Sequence, residues 1–117
     1  MAVSNYQNLI VWRKAMDLAK EVYAIVKLLP KEELFALSDQ IRRAVVSIPS
    51  NIAEGCGRES KSQMKNFLRI AKGSAAELET QLLLCKEIGY VDDVKLKMPL
   101  NLLDEISRMI RSLMQKS

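Results

Sequence analysis

Four amphipathic segments predict an all-α fold, an antiparallel up-down-up-down four-helix bundle, and three observations carry that prediction. Apolar residues recur with a period near 3.6 over four stretches of about 20 residues or more. The 117 residues contain only 4 Gly and 3 Pro, and Pro30, Gly55, Gly57 and Gly89 fall where the stretches end. The joints so defined are about 2 to 5 residues long, which makes successive helices antiparallel neighbours. With 49% apolar and 27% charged residues the chain reads as one ordered globular domain, residues 1–117, large enough to bury a continuous core.

The first helix is expected over residues 8–29, with Val11, Trp12, Ala15, Met16, Leu18, Ala19, Val22, Tyr23, Val26 and Leu29 on a broad apolar face. Pro30 ends it. The second is expected over residues 31–55, opened by Glu32 and Glu33 at the positive end of the helix dipole and closed by Gly55 and Gly57 as turn residues. Leu34, Leu37, Ile41, Val45, Ile48 and Ile52 form its core face, and Pro49 within it predicts a bend, with Ser47 or Ser50 satisfying the freed carbonyl.

The third helix, residues 60–88, starts at a Ser60 cap, buries Met64, Phe67, Leu68, Ala71, Ala75, Leu78, Leu82 and Cys85, and stops at Gly89. The fourth, residues 92–116, has Asp92 as its cap and sends Leu96, Leu103, Ile106, Met109, Ile110 and Leu113 inward. Pro99 either bends this helix or marks its true first turn.

A second stripe crosses the second helix. Gln40, Arg43, Ser47, Asn51 and Glu54 share a face about a third of a turn from the apolar one. Short-armed Ser and Asn among the charges predict a hydrogen-bonded polar seam, inside the fold or between subunits, with Glu77 of the third helix as a further member.

Several function classes are disfavoured. The chain has no His, and no P-loop, GxGxxG, GxSxG or metal-ligand spacing occurs, which predicts a protein without enzymatic activity, cofactor or metal. An enzyme would have to use Glu54 and Glu77 as acid and base, with Arg43 and Cys56 nearby. Both carboxylates are equally placed to neutralise Arg42 or Arg43, and the structural role is preferred. Cys56 and Cys85 lie in no CxxC or Cys/His cluster and read as reduced thiols. No long apolar run and no leader pattern is present, so a cytoplasmic protein without membrane contact is expected.

The net charge of +4 is mild and permits an acidic partner without demanding one. Its placement is more telling. Arg58, Lys61, Lys65, Arg69 and Lys72, spaced 3, 4, 4 and 3 apart, stack on one ridge of the third helix. Such a ridge is a candidate track for RNA or DNA backbone phosphates, set against the plainer alternative of a solvated face. Aromatic residues are few and fall mostly on core positions, which disfavours stacking readout of single-strand bases. Phe35, Val46 and Ala53 on the second helix, and Ile70, Leu84 and Ile88 beside Gly73, Glu77 and Gln81 on the third, form apolar arcs off the core faces. A monomeric bundle needs one such face per helix, so a homo-oligomer is predicted, with Phe35, Val46, Ala53, Ile70, Gly73 and Leu84 as interface candidates.

The motifs QIRRAVVSIPSNIAEG (residues 40–55) and FLRIAKGSAAELETQLLL (residues 67–84), with NLIVWRKAMDLAKEVYAIVKLLP before them, resemble the bacterial 23S rRNA intervening-sequence protein family, also called the four-helix-bundle protein family. The resemblance runs from about Asn8 to Leu113. It implies an up-and-down bundle that assembles as a homopentamer. It is also similar in architecture to the accessory variability proteins of diversity-generating retroelements, which implies a nucleic acid or a reverse transcriptase as partner. By residue it marks Gln40, Arg42, Arg43, Ser47, Pro49, Asn51, Glu54, Gly55, Gly73, Ser74, Glu77 and Gln81 for fold and assembly, while Cys56, Met64 and Pro99 depart from the pattern. The alternative function is a protein-interaction scaffold or accessory subunit that binds no nucleic acid.

Overall fold

The computed structural model describes residues 3–116, and these form four α-helices: α1 (Ile10–Val26), α2 (Leu37–Cys56), α3 (Lys61–Ile88) and α4 (Asp93–Lys116). Two short 3-10 helices, Val3–Asn8 and Lys31–Glu33, precede α1 and α2. Each helix packs against two others in the cyclic order α1, α2, α3, α4, giving a rod of 44 × 24 × 20 Å.

Cross-helix pairs set the directions. Ser47 of α2 bonds Ser74 of α3, while Gly55, eight residues later, lies against Met64 and Phe67, so α2 and α3 are antiparallel. Lys14 pairs with Glu105, and residues 17–21 of α1 lie beside residues 94–102 of α4, which makes that pair antiparallel too. These pairings fit the up-down-up-down arrangement. The core is a single apolar column in which Leu18, Ile41, Ile48, Ile52, Leu68, Leu78, Leu82, Leu96, Ile106 and Ile110 are fully buried. At about 1.5 to 3 kcal/mol for each large side chain buried, this column is the main stabilising term.

The expected ends of α3 hold. The Ser60 side chain accepts from the Gln63 amide at 3.0 Å, and Gly89 adopts φ +97°, the left-handed conformation that glycine takes without a Cβ penalty. Asp92 likewise caps α4, accepting from the Lys95 amide at 3.0 Å. The helix runs unbroken through Pro99, so Asp93 to Met98 is its first part and not a separate piece.

Four expectations are corrected. α2 starts at Leu37, six residues later than expected, because the backbone leaves helical geometry at Ala36 (φ −124°, ψ −105°) after the Lys31–Glu33 turn; Leu34, placed on the core face, is exposed. Gly55 is not a turn residue: it is buried inside α2, where a Cβ would stand 3.3 Å from the Met64 carbonyl oxygen and the Phe67 Cβ, so it permits close approach of α3. Neither serine offered for the carbonyl freed by Pro49 bonds it among the described residues: the Ser47 hydroxyl bonds Asn51 and Ser74, and the exposed Ser50 makes no such hydrogen bond. Met16 and Tyr23 of α1, expected in the core, lie at its margin and are 38% and 42% exposed.

Candidate nucleic-acid interface

The polar stripe of α2 divides into two kinds of residue. Ser47 and Asn51 are half-buried against α3, where the Ser47 and Ser74 hydroxyls stand 2.7 Å apart and the Asn51 amide donates to the Ser47 carbonyl and hydroxyl at 2.8 and 2.9 Å. Each polar group closed into the interface has a partner, as burial requires. Gln40, Arg43 and Glu54 instead face solvent. Arg43 bonds Asp39 at 2.9 Å and Glu54 bonds Arg58 at 2.8 Å, both within a single turn, and Arg42 donates to the Leu34 carbonyl at 3.2 Å. The expected seam is therefore a clip of Ser47, Asn51 and Ser74. The long charged side chains on its outer margin reach water and local partners, at little cost or gain in stability.

Glu77 does not join this clip. It is exposed on α3 and accepts a long 3.4 Å bond from Gln81, whose amide is buried and whose carbonyl oxygen lacks a protein partner. Gln81, grouped with the outer arc from sequence, thus belongs to the α3 margin of the core. Glu54 sits level with Phe67, about ten residues or roughly 15 Å along α3 from Glu77, so the two carboxylates cannot share one reacting group. Cys56 is the last residue of α2, and partial burial pushes its thiol pKa up, as burial and Glu33 do for Cys85. Both thiols are held in the protonated, weakly nucleophilic form. Among the described residues no group of three His, Cys, Asp or Glu is placed to hold a metal ion. No described helix is long and apolar enough to cross a membrane.

The basic ridge is partly spoken for. Arg58 lies before α3, where it bonds Glu54 and stands 4.6 Å over the Phe67 ring, and Arg69 donates to the Asn66 side chain at 2.6 Å. The Glu54 pairing was not foreseen because the two residues straddle an expected turn that is helical in the structure. Lys61, Lys65 and Lys72 make no ion pair among the described residues. At 100° per residue Lys61, Lys65, Arg69 and Lys72 fall within about 80° of arc and span roughly 16 Å of helix axis. The first turn of α3 holds no acidic residue, so Lys61 stands at the positive end of the helix dipole, where it gains nothing for helix stability.

The apolar candidates are exposed to different degrees. Phe35 is 91% exposed on the joint before α2, Ile70, Leu84 and Val46 lie between 43% and 50%, Ala53 is half-buried, and Gly73 is exposed. Val46 and Ala53 line a groove of about 390 Å³ between α1 and α2 together with Trp12, Met16, Tyr23 and Pro49. Tyr6 of the first 3-10 helix closes one end of the groove, edge-on to Trp12 at 5.2 Å. Sequence reasoning had one wall of this groove and missed the other: Val46 and Ala53 read as an outer arc, whereas Trp12, Met16 and Tyr23 of α1 read as core.

Residues 7–112 match the family described as 23S rRNA-intervening sequence protein. The chain is also similar to a crystal structure of a protein of unknown function from the S23 ribosomal protein family of Bacteroides thetaiotaomicron, at 28% identity and a TM-score of 0.83, over 90% of this chain and 98% of that one. No curated protein matches.

Proposed function

Because the chain belongs to the 23S rRNA-intervening sequence protein family, we propose that it is a non-enzymatic homo-oligomeric bundle that holds RNA or DNA by the phosphate backbone along the first half of α3. The pentameric state implied by the resemblance is part of this reading. The observation that carries it is the bare cationic arc of Lys61, Lys65, Arg69 and Lys72, which has no carboxylate between its members. Each cation on a phosphate releases bound counterion, and repetition of the arc around an assembly adds avidity that one arc lacks. The absence of stacking aromatics on the arc fits backbone contact without base reading.

The test is titration of a labelled generic RNA or DNA duplex at rising salt. A track making four phosphate contacts loses roughly 100-fold in duplex affinity between about 50 and 200 mM salt. The double variant Lys65→Glu with Arg69→Glu should abolish binding while circular dichroism and mass stay unchanged. Absent or salt-indifferent binding by the native chain would leave the scaffold reading in its place.

A further inference from the structure

Two glycines of similar helical setting have different surroundings. The missing Cβ of Gly55 is explained by α3, whereas a Cβ on Gly73, midway along α3, would meet nothing within 4 Å. Glycine weakens a helix interior relative to alanine, so a glycine that no neighbour requires is unexplained within one chain. Ile70, Gly73, Glu77, Leu84 and Ile88 fall within about 60° of arc, forming a ridge of half-exposed aliphatic residues around a point of close access. Gln81 bonds Glu77, which gives that ridge a placed negative charge.

The groove between α1 and α2 has the opposite character. Its apolar floor of Met16, Tyr23 and Val46 continues past Tyr23 and Val46 to Arg42 and Arg43. Arg42 has no carboxylate partner among the described residues, and the exposed Arg43 pair with Asp39 is weak enough to be shared. One chain therefore carries an apolar ridge with a carboxylate and an apolar groove with guanidinium groups, on different helices.

We propose that the occupant of the α1–α2 groove is the α3 ridge of a second copy of this chain, with Gly73 allowing the backbones to approach and Glu77 meeting the Arg42 and Arg43 side. The proposal rests on the homo-oligomer reading and adds to it the mode of contact. Because ridge and groove are different surfaces, the contact is head-to-tail, and its repetition closes a ring or runs on as a chain.

The experiment compares native protein, a ridge variant (Leu84→Arg) and a groove variant (Val46→Glu) by light scattering, alone and mixed. The native protein is expected to be oligomeric and each variant monomeric. An equimolar mixture should give a species of two chains, because one intact ridge then meets one intact groove. A mixture that stays monomeric, or variants that keep the native mass, overturns the contact while leaving the oligomer reading intact; a monomeric native protein overturns both. Gly73→Leu guards against misfolding of the charged variants. A Cβ at this position meets nothing within 4 Å in its own chain, so helicity should persist while association falls at least tenfold, and unchanged association would refute close approach at this point.

Discussion

The two halves of α3 share one core face and differ on everything outside it. From Lys61 to Lys72 the helix carries four cations and no carboxylate; after Gly73 it carries Glu77, Glu79 and Glu87 against Lys86, which is itself bonded to Asp93. The first half has bare charge at a helix N-terminus, and the second has half-exposed aliphatic residues beside acids. Neither distribution stabilises an isolated helix, since cations favour the C-terminus and acids the N-terminus. The buried stripe from Leu68 to Leu82 is what α3 contributes to the core, and the cations of its first half and the half-exposed aliphatic residues of its second lie outside that stripe, where the proposed contacts are placed.

The largest test is whether the core beneath both halves is the same. Leu68→Ala and Leu78→Ala should each cost about 2 to 5 kcal/mol in denaturant unfolding, because both side chains are fully buried. A loss confined to one half would show that the halves differ inside as well as outside. Next come the charges. Reversal at Lys65 and Arg69 should remove about 2 kcal/mol or more of polyanion affinity without moving the unfolding midpoint, whereas reversal at Glu79 and Glu87, which the proposed contact does not use, should leave polyanion affinity equal or higher.

The glycines sharpen the contrast further. Gly55→Ala should destabilise by about 1 to 3 kcal/mol, since the new methyl meets the Met64 carbonyl, part of the α3 backbone, at 3.3 Å. Gly73→Ala should stabilise the isolated chain by about 0.5 to 1 kcal/mol, there being open space around it. Equal signs for the two would end the argument drawn from Gly73.

The smallest effect concerns pH. Tyr90 donates to Glu33 at 2.8 Å, and that bond is the main cause of a phenol pKa raised above its ordinary 10.0. A raised folded value means that the bond contributes fully below about pH 10 and is lost as the pH climbs through the folded pKa. Native protein should therefore lose more stability than Tyr90→Phe across this alkaline window, measured by thermal unfolding.

Most of the fold was legible because its signals are local. Ser60 and Asp92 sit three residues before the amides they cap, and the aliphatic period of α2 and α3 maps directly onto burial. The start of α2 was not legible. Between Lys31 and Leu37 no Gly or Pro interrupts the chain, and Glu33 in this joint bonds Tyr90, 57 residues away, a contact that no local pattern announces. The ridge on α3 was legible as charge spacing, but the Arg58 pairing depended on α2 continuing to Cys56. The groove was hidden because periodicity cannot say how far the first 3-10 helix shields α1: Tyr6 covers Trp12, while Met16 and Tyr23 stay open.

Glu33 works with both of its oxygens. One accepts the first amide of α2 from Leu37 at 3.4 Å, and the other receives the Tyr90 hydroxyl from the link between α3 and α4. The two connections at that pole are consequently riveted at a single carboxylate, and neither can change length without disturbing the other. Engineered insertions or new chain ends should be accepted at the opposite pole, around Gly57 to Ser60, and refused here.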